Sequence, residues 1–427
     1  MRGDRLNRIE KLAGILTELY RSPDPETVYA YSPGICILPS GRLIATMDQG
    51  GPGVKNLSGI KGIIGKIEVQ GKIYLSDDEG ETWRHVTDTP MQHARPFVAG
   101  DSVYVLGHAG DLVIVRSDDG GETWSEPVYL TQGQSWHQAP CNVHYAKGNV
   151  YLVMERKLDY VCKTWPVSIL APILMRASCK DDLTKVQSWT FASEICCKET
   201  VDLTKSKYFG MPFYKALDGV TNVLAENPKR HFPPPGWLET NVVQFTDPRH
   251  IWYDPEGKTF HLWMRAHTGW TNMAAILKVV ENDDGTMTTM TESAPSGEPL
   301  VYVPCPGGEM KFHILWDEIS KRFWMVSTQP TDSMTRPELL EEDRYDLPNN
   351  ERQRLVLYFS RNCVDWCFAG LVDQGDSQKQ SRHYASMAIS GENLIILSRS
   401  GDQDSFNAHC TNMITVHKIH DFRNLIY

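Results

Sequence analysis

The chain alternates between short apolar runs and polar turns along most of its length. The stretch SPGICILPSGRLIATMDQ from Ser32 is representative: an apolar run, a turn that contains glycine, and a second apolar run that ends in polar residues. Alternation with a period of two that runs into Gly, Asp or Ser is typical of β-strands joined by hairpins. Related stretches begin at His93, Trp136, Trp237, Gly307 and Ser381.

Strand-rich repeats of this length are typical of propellers, in which each sheet packs against its neighbours around an axis. These six stretches predict an all-β, six-bladed β-propeller that occupies residues 26–427 as a single domain. The last stretch has only one clear further strand, MITVHKIH, before the chain ends. We expect the N-terminal region to complete that blade, because closure of the ring removes an exposed sheet edge.

Residues 1–25 depart from the strand pattern. Their apolar side chains recur at helical spacing, at Leu6, Ile9, Leu12, Leu16 and Leu19. This spacing predicts a short amphipathic helix ahead of the propeller. Three further stretches, 51–70, 196–236 and 331–353, are predicted to be loop insertions. Long insertions commonly form the rim or lid of a site, and plain surface decoration is the alternative.

One polar turn occurs twice almost unchanged, as SDDEGETW at Ser76–Trp83 and SDDGGETW at Ser117–Trp124. In each copy we expect the second aspartate, Asp78 or Asp119, to accept backbone N–H bonds across the turn. The glycine three residues before the tryptophan is expected to supply a positive φ. SCKDDLTKVQSW and SRNCVDW are degenerate copies of the same turn. We expect all of them to lie on the outer edges of blades, with a structural rather than a catalytic role.

Composition narrows the classes of function. The net charge of −10 argues against nucleic acid or an anionic membrane as the main partner. No apolar run approaches the roughly 20 residues of a membrane span, and the N-terminus lacks the apolar segment of a signal peptide, so we expect a cytoplasmic protein. The 10 cysteines lack C-x-x-C and zinc-finger spacing, which predicts inert thiols and no metal. No organic cofactor is expected, since no G-x-G-x-x-G follows a strand and no P-loop occurs.

In a propeller, the first strand of each blade begins and the second strand ends at the same face, beside the central axis. Polar residues at these points are therefore expected to converge on one funnel. The candidates are Asp48, His93, Arg95, His108, His137, Glu155, Glu239, Arg265, His267, Lys311, Gln329, Arg382, His383, Tyr384, Arg399 and His409. A basic centre suits an anionic ligand, because guanidinium groups pair bidentately with carboxylates.

The repeated turn, the six stretches and the polar strand ends resemble the sialidase-like superfamily of Asp-box propellers. SPGIC stands here in place of the Arg-Ile-Pro motif of that superfamily's first blade. The resemblance implies a tyrosine nucleophile paired with a glutamate, an aspartate as general acid and base, and arginines that hold the substrate carboxylate. Matching positions suggest Tyr384, Glu239 and Asp48 for the first three roles. The implied arginines are Arg265, Arg382 and Arg399.

The favoured interpretation is an exo-acting glycoside hydrolase that releases an acidic or otherwise polar terminal sugar from an oligosaccharide. The alternative is a polysaccharide lyase that cleaves beside a uronic acid by β-elimination, with His137, His383 or Tyr384 as the base. A carbohydrate-binding propeller without catalysis is the third interpretation, because one fold serves many functions. The sequence leaves open the sugar, the linkage and whether the protein forms a homo-oligomer.

Overall fold

The structure is a computed structural model that describes residues 9–14, 16–163, 165–202, 234–336, 339–340, 344 and 349–427. The described residues form six sheets of four or five strands, arranged as the blades of a β-propeller. The predicted six-bladed propeller is thus confirmed. Strands are numbered below in chain order.

The first three blades follow one another along the chain. Blade 1 contains β2 (Tyr29–Ile37), β3 (Leu43–Gly50), β4 (Gly62–Ile64), β5 (Ile67–Ser76) and β6 (Arg84–Thr89). Blade 2 contains β7 (Gln92–Ala99), β8 (Ser102–Ala109), β9 (Asp111–Ser117) and β10 (Val128–Tyr129). Blade 3 contains β11 (Trp136–His137), β12 (His144–Ala146), β13 (Asn149–Lys157), β14 (Leu170–Ser178) and β15 (Trp189–Phe191).

A single turn of helix, α1 (Cys197–Thr200), follows blade 3. Blade 4 contains β16 (Gly236–Val243), β17 (Thr259–His267), β18 (Met273–Glu281), β19 (Met287–Met290) and β22 (Tyr302–Pro304), and β20 (Glu292–Ser293) pairs with β21 (Pro299–Leu300) beside it. Blade 5 contains β23 (His313–Asp317), β24 (Arg322–Thr328), β25 (Arg354–Ser360) and β26 (Cys367–Gln374). Blade 6 contains β27 (Arg382–Ser390), β28 (Asn393–Ser400), β29 (Met413–Ile419) and β1 (Thr17–Arg21).

Strand β1 closes the ring by pairing antiparallel with β29, which confirms the expected closure by the N-terminal region. The same strand makes the helix prediction wrong for residues 17–21. The backbone N–H of Leu12 also donates to the carbonyl of Leu371 on β26 (2.8 Å). Pairing satisfies the backbone groups of the N-terminal segment and also those of the sheet edge, which a helix here would leave unpaired. Leu6 lies outside the described residues.

The hydrophobic core consists of clusters between neighbouring blades. Tyr151 of blade 3 packs with Phe260 of blade 4 in one of them, and an equivalent cluster fills each other junction around the ring. Because both faces of each blade are covered, central strands such as β8 and β17 are buried on both sides. Each blade is therefore held firmly on two sides, which fixes where its strand ends lie around the axis.

The repeated turns connect β5 to β6 in blade 1 and β9 to β10 in blade 2, and in blade 1 the turn lies at the end of the sheet away from Asp48. Asp78 accepts hydrogen bonds from the Thr82 backbone N–H (2.9 Å) and the Thr82 hydroxyl (2.5 Å). Asp119 makes the same pair of bonds to Thr123. Gly80 and Gly121 have φ of 88° and 92°. The predicted hydrogen bonding and positive φ are confirmed, and these aspartates lie away from the axis.

Candidate active site

The inner strands of four blades share one irregularity beside the axis. The pairing of β2, β7, β16 and β27 with the next strand shifts register near its start. At each shift a residue other than glycine adopts a positive φ: Ser32, His93, Glu239 and Tyr384. A left-handed backbone costs such a residue roughly 1–2 kcal/mol. A bulge changes the direction of its side chain, and three of these four residues are sequence-predicted funnel candidates.

The second strands contribute polar residues at the same level of the ring. Each of these residues pairs with the inner-strand residue just before the bulge or strand end; they are Asp48, His108, Glu155, Arg265 and Arg399. The sequence prediction therefore placed one side chain from each of five blades at equivalent positions. The bulges at Glu239 and Tyr384 have no signal in the sequence, because glutamate and tyrosine are not residues that favour positive φ.

Arg265 contacts both Tyr384 and Glu239, the residues suggested as nucleophile and its partner. Its Nη1 donates to the Tyr384 hydroxyl oxygen (2.7 Å) and to Oε2 of Glu239 (3.3 Å), and its Nε donates to the Glu309 carbonyl oxygen (2.7 Å). Glu239 is 1% exposed and Tyr384 is 9% exposed. Burial raises the pKa of Tyr384, while the charge of Arg265 acts to lower it. The structure thus brings Tyr384 and Glu239 to one guanidinium nitrogen.

Two further arginines lie against Tyr384. The guanidinium carbons of Arg352 and Arg399 are 5.8 Å and 5.2 Å from the centre of the Tyr384 ring. Arg352 Nη1 also lies 3.1 Å from Nδ1 of His383. Arg265, Arg352 and Arg399 therefore form a cluster of three guanidinium groups, which we call the arginine cluster.

Arg382 does not belong to the arginine cluster, and its prediction as part of the carboxylate clamp is wrong. Its Nε donates to Oδ2 of Asp373 on β26 (2.6 Å), and its Nη1 donates to the carbonyl oxygens of Ser381 and Gly401. Side chains alternate along a strand, so Arg382 and His383 point to opposite sides of β27. Arg352 takes the place that Arg382 was expected to fill. It lies in the insertion 331–353, which has no strand pattern from which the position of Arg352 could be predicted.

Three histidines form one wall of the funnel. His93 Nδ1 lies 3.2 Å from His108 Nε2, and the His93 and His137 rings meet edge to face at 5.1 Å. His137 Nδ1 lies 3.1 Å from Oε2 of Glu155, whose other oxygen accepts from the Thr240 N–H and hydroxyl. Burial lowers the pKa of His108 to about 3 and holds the pKa of His93 well below its usual range.

The positive charge of the funnel therefore comes from its arginines. Burial, followed by the charges of Arg352 and Arg399, also holds the pKa of His383 well below its usual value. His409 behaves in the same way, with Arg399 Nη2 3.3 Å from its Nδ1. His93, His108, His383 and His409 are therefore neutral near pH 7, which corrects the expectation that these four add to the basic character of the site.

Asp48 has the environment of a group that titrates near neutral pH. It is fully buried, and burial raises its pKa to about 7, against opposing contributions that include the His93 backbone N–H. Oδ1 accepts from that N–H at 3.0 Å. Oδ2 has no hydrogen-bond partner among the described residues. A carboxyl group with these properties is suited to proton transfer.

The remaining predicted residues have different roles. Lys311 is buried and donates to the Ala385 carbonyl and to Oγ of Ser386 (3.1 Å), so it braces β27 just after Tyr384. His267 ends β17, and burial lowers its pKa to about 3. Gln329 follows β24, and its backbone N–H donates to the Arg354 carbonyl (3.2 Å). Arg95 lines a separate cavity on the other side of the ring.

A cavity of about 570 Å³ adjoins the funnel beside Asp48. Tyr31, which pairs with Asp48, lines it together with Gln92 and with Lys55 and Lys66 of the insertion 51–70. This placement agrees with the expectation of a rim for the insertion 51–70, although its residues 62–64 form β4, and most of the insertion 196–236 lies outside the described residues. Trp165, which the sequence prediction missed, is 47% exposed and meets the His137 ring edge to face at 5.5 Å. An exposed tryptophan beside polar groups is a common surface for sugar rings.

Neither metal binding nor a membrane span has support in the described part of the chain. No group of three or more His, Cys, Asp or Glu side chains among the described residues is placed to hold a metal ion. Within the same residues, no helix is both long enough and apolar enough to span a bilayer.

Comparison with known proteins gives likenesses of fold. No protein-family model matches the sequence, and no curated protein matches it. A Dyadobacter fermentans protein of unknown function aligns over 96% of this chain and 99% of its own, with a TM-score of 0.55 and 12% identity. The Hadza microbial sialidase Hz136 aligns over 95% of this chain and 68% of its own, with a TM-score of 0.53 and 13% identity.

Trypanosoma rangeli sialidase aligns over 96% of this chain with a TM-score of 0.51 and 14% identity. The present chain spans 60% of the length of that sialidase. At these identities the comparison concerns the fold: the chain is a six-bladed β-propeller similar in fold to sialidases. The resemblance inferred from the sequence is confirmed to that extent, and its Asp-box subgroup stays a prediction.

Proposed function

We propose that the protein is an exo-acting glycoside hydrolase that removes a terminal sugar bearing a carboxylate. The supporting observation is the contact of one Arg265 nitrogen with both Tyr384 (2.7 Å) and Glu239 (3.3 Å), inside the arginine cluster. Tyrosine, glutamate and several arginines together suit nucleophilic attack on a carboxylated sugar. The fold likeness to two sialidases agrees with this proposal.

The arginine cluster supports the choice of an anionic sugar. Three guanidinium groups lie around Tyr384, and Glu239 contacts one of them, Arg265. Guanidinium forks bind carboxylates through paired hydrogen bonds, and such bonds are stronger away from water. A sugar carboxylate would balance the excess positive charge beside the nucleophile.

In the proposed reaction, the Tyr384 oxygen attacks the anomeric carbon while Glu239 accepts the phenolic proton. Because the pKa of Tyr384 is raised by burial, the phenol is protonated at rest and needs this base. Protonated Asp48 donates its proton to the leaving glycosidic oxygen. The Asp48 carboxylate then takes a proton from a water molecule, whose oxygen attacks the anomeric carbon. The bond between that carbon and the Tyr384 oxygen breaks, the sugar is released, and the phenolate recovers its proton from Glu239.

The rim cavity supports a place for the leaving group in this proposal. Asp48 must reach the glycosidic oxygen, and its partner Tyr31 lines the cavity of about 570 Å³. The leaving sugar therefore occupies this cavity, and the carboxylated sugar lies over Tyr384. The small exposure of Tyr384 and Glu239 favours a terminal unit over the interior of a continuous polysaccharide.

β-Elimination is the less favoured chemistry. His383 would be a weak base, because its pKa lies well below the usual range and Arg352 is hydrogen-bonded to its Nδ1. A role in binding alone leaves unexplained why a carboxyl group beside the funnel, that of Asp48, is buried with its pKa raised to about 7, a value suited to proton transfer. Both observations favour hydrolysis.

The test is turnover of chromogenic glycosides of sialic acids, uronic acids and neutral sugars, with near-ultraviolet absorbance to detect an unsaturated product. We expect hydrolysis of a carboxylated glycoside without that absorbance. Tyr384→Phe and Glu239→Gln should each lower kcat by roughly 10²–10⁴-fold with unchanged melting temperature. Arg382→Lys, outside the cluster, is the matched control and should keep kcat. An unsaturated product, or no turnover of any glycoside, would refute the proposal.

A further inference from the structure

A second cavity, of about 660 Å³, lies at the opposite end of the propeller axis from the funnel. Its walls come from the later parts of β2, β7, β23 and β27 and from residues 140–145. Glu239, Tyr384 and Asp48 do not line it. We call it the axial cavity. Its volume lies in the range of roughly 300–1,000 Å³ that is typical of small-molecule sites.

The side chains along the axial cavity are mostly apolar. Ile35, Phe97, Leu315, Met387 and Ile389 are among them. Three cysteines also line the cavity, and burial raises the pKa of Cys36 and of Cys141 to about 12. These two thiols are therefore neutral near pH 7 and add no negative charge to the walls.

Arg95 is the charged residue of this lining, and its other polar members include Asn142, His313 and Ser386. It is 2% exposed, and none of Nε, Nη1 and Nη2 has a hydrogen-bond partner among the described residues. Burial lowers its pKa to about 10, so the group is charged near pH 7. Glu155 attracts it at longer range, but the oxygens of Glu155 are engaged by Thr240 and His137.

The other polar groups near Arg95 do not neutralise it. Lys311 is a second buried cation, and its charge and that of Arg95 both act on His313, which also lines the cavity. Burial holds the pKa of His313 well below its usual range, and its Nδ1 has no partner among the described residues. A buried guanidinium without partners lowers the stability of the folded protein. An anion at this point would remove much of that cost.

We propose that the axial cavity binds a small organic carboxylate with an apolar body. The carboxylate accepts a bidentate pair of hydrogen bonds from Arg95, and the body lies along the walls formed by Ile35, Phe97 and Leu315. A planar guanidinium matches a carboxylate in shape. An inorganic ion would satisfy Arg95 but would leave most of the apolar volume empty, so the lining favours an alkyl or aryl acid.

Calorimetric titration of the whole protein with hexanoate, hexanamide and acetate tests this proposal. We expect hexanoate to bind at least about tenfold more tightly than hexanamide, which lacks the charge, and than acetate, which lacks the apolar body. Arg95→Met should abolish hexanoate binding. Arg352→Met removes a funnel arginine instead, and should leave hexanoate binding unchanged.

Two results would overturn the proposal. Loss of hexanoate binding in Arg352→Met with retention in Arg95→Met would place the acid in the funnel. Equal affinity of the wild-type protein for hexanoate and hexanamide, or for hexanoate and acetate, would remove the role of the charge or of the walls. If Arg95→Met does not fold, the wild-type comparisons test the charge and the walls, and loss of hexanoate binding in Arg352→Met alone would still place the acid in the funnel and overturn the proposal.

Discussion

Replacing Asp48 by asparagine should make the protein more stable at alkaline pH while it removes activity. The carboxyl group is buried, and burial raises its pKa from 3.8 to about 7. A change of one unit in pKa corresponds to about 1.4 kcal/mol at 25 °C, so this rise corresponds to roughly 4 kcal/mol. That figure is the largest change in unfolding free energy that ionisation of Asp48 can cause.

The direction follows from proton binding. Between about pH 4 and pH 7 the folded state binds a proton at Asp48 that the unfolded state has lost, so wild-type stability falls as the pH rises. Asparagine does not titrate, and its side-chain oxygen can still accept from the His93 N–H. The variant should therefore gain stability relative to wild type by up to roughly 4 kcal/mol between these pH values. Other titrating groups, such as Glu309, are common to both proteins and cancel.

Denaturant-induced unfolding of both proteins at about pH 4.5 and about pH 8.5 measures this difference. Asp119→Asn is the control, because hydrogen bonds from Thr123 lower the pKa of Asp119 to about 2. The difference in unfolding free energy between this variant and wild type should therefore change little between the two pH values, and in the opposite direction. A stability difference between Asp48→Asn and wild type that does not change with pH would refute the reasoning. So would a variant that is less stable than wild type at alkaline pH.

Three further predictions concern individual side chains. Arg352→Met should raise KM for a carboxylated glycoside by about tenfold or more but leave KM for its methyl ester nearly unchanged. The control variant Arg382→Met should lower the melting temperature without this discrimination between the two glycosides. Equal effects of Arg352→Met on both glycosides would contradict the role of Arg352. Trp165→Ala should lower kcat/KM with little change in melting temperature, because the side chain is half exposed; unchanged kinetics would exclude contact with the substrate. Asp78→Ala and Asp119→Ala should each lower the unfolding free energy by roughly 1 kcal/mol, through lost turn hydrogen bonds, and leave kcat unchanged in the same glycoside assay; a fall in kcat would contradict a purely structural role.

The pattern of alternation was sufficient to predict the blades, because each blade is a local run of paired strands. It also predicted that Asp48, Glu239 and Tyr384 lie at the axis, since strand order alone determines which ends meet there. The helix predicted within residues 1–25 was wrong at residues 17–21, because helical spacing in a short segment is weaker evidence than pairing with an open sheet edge. Arg352 could not be predicted, because its position depends on the path of an insertion.

The bulges explain why the side of the strand to which a side chain points was harder to predict than its position along the propeller axis. Arg382 and Tyr384 are close in sequence, and strict alternation would point them to the same side of β27. The register shift at Tyr384 changes that relation, and Arg382 instead pairs with Asp373. Similarly, Arg95 follows the His93 bulge and lies in the axial cavity rather than in the funnel.

Covalent trapping tests the proposed catalytic centre most directly. A 2- or 3-fluorinated glycosyl fluoride of the acidic sugar that the protein hydrolyses should form a stable adduct, which mass spectrometry of the digested protein can locate. We predict the added sugar mass on the peptide that contains Tyr384 and its absence in Tyr384→Phe. A label on Glu239 or Asp48, or no label from a sugar whose parent glycoside is turned over, would contradict the account.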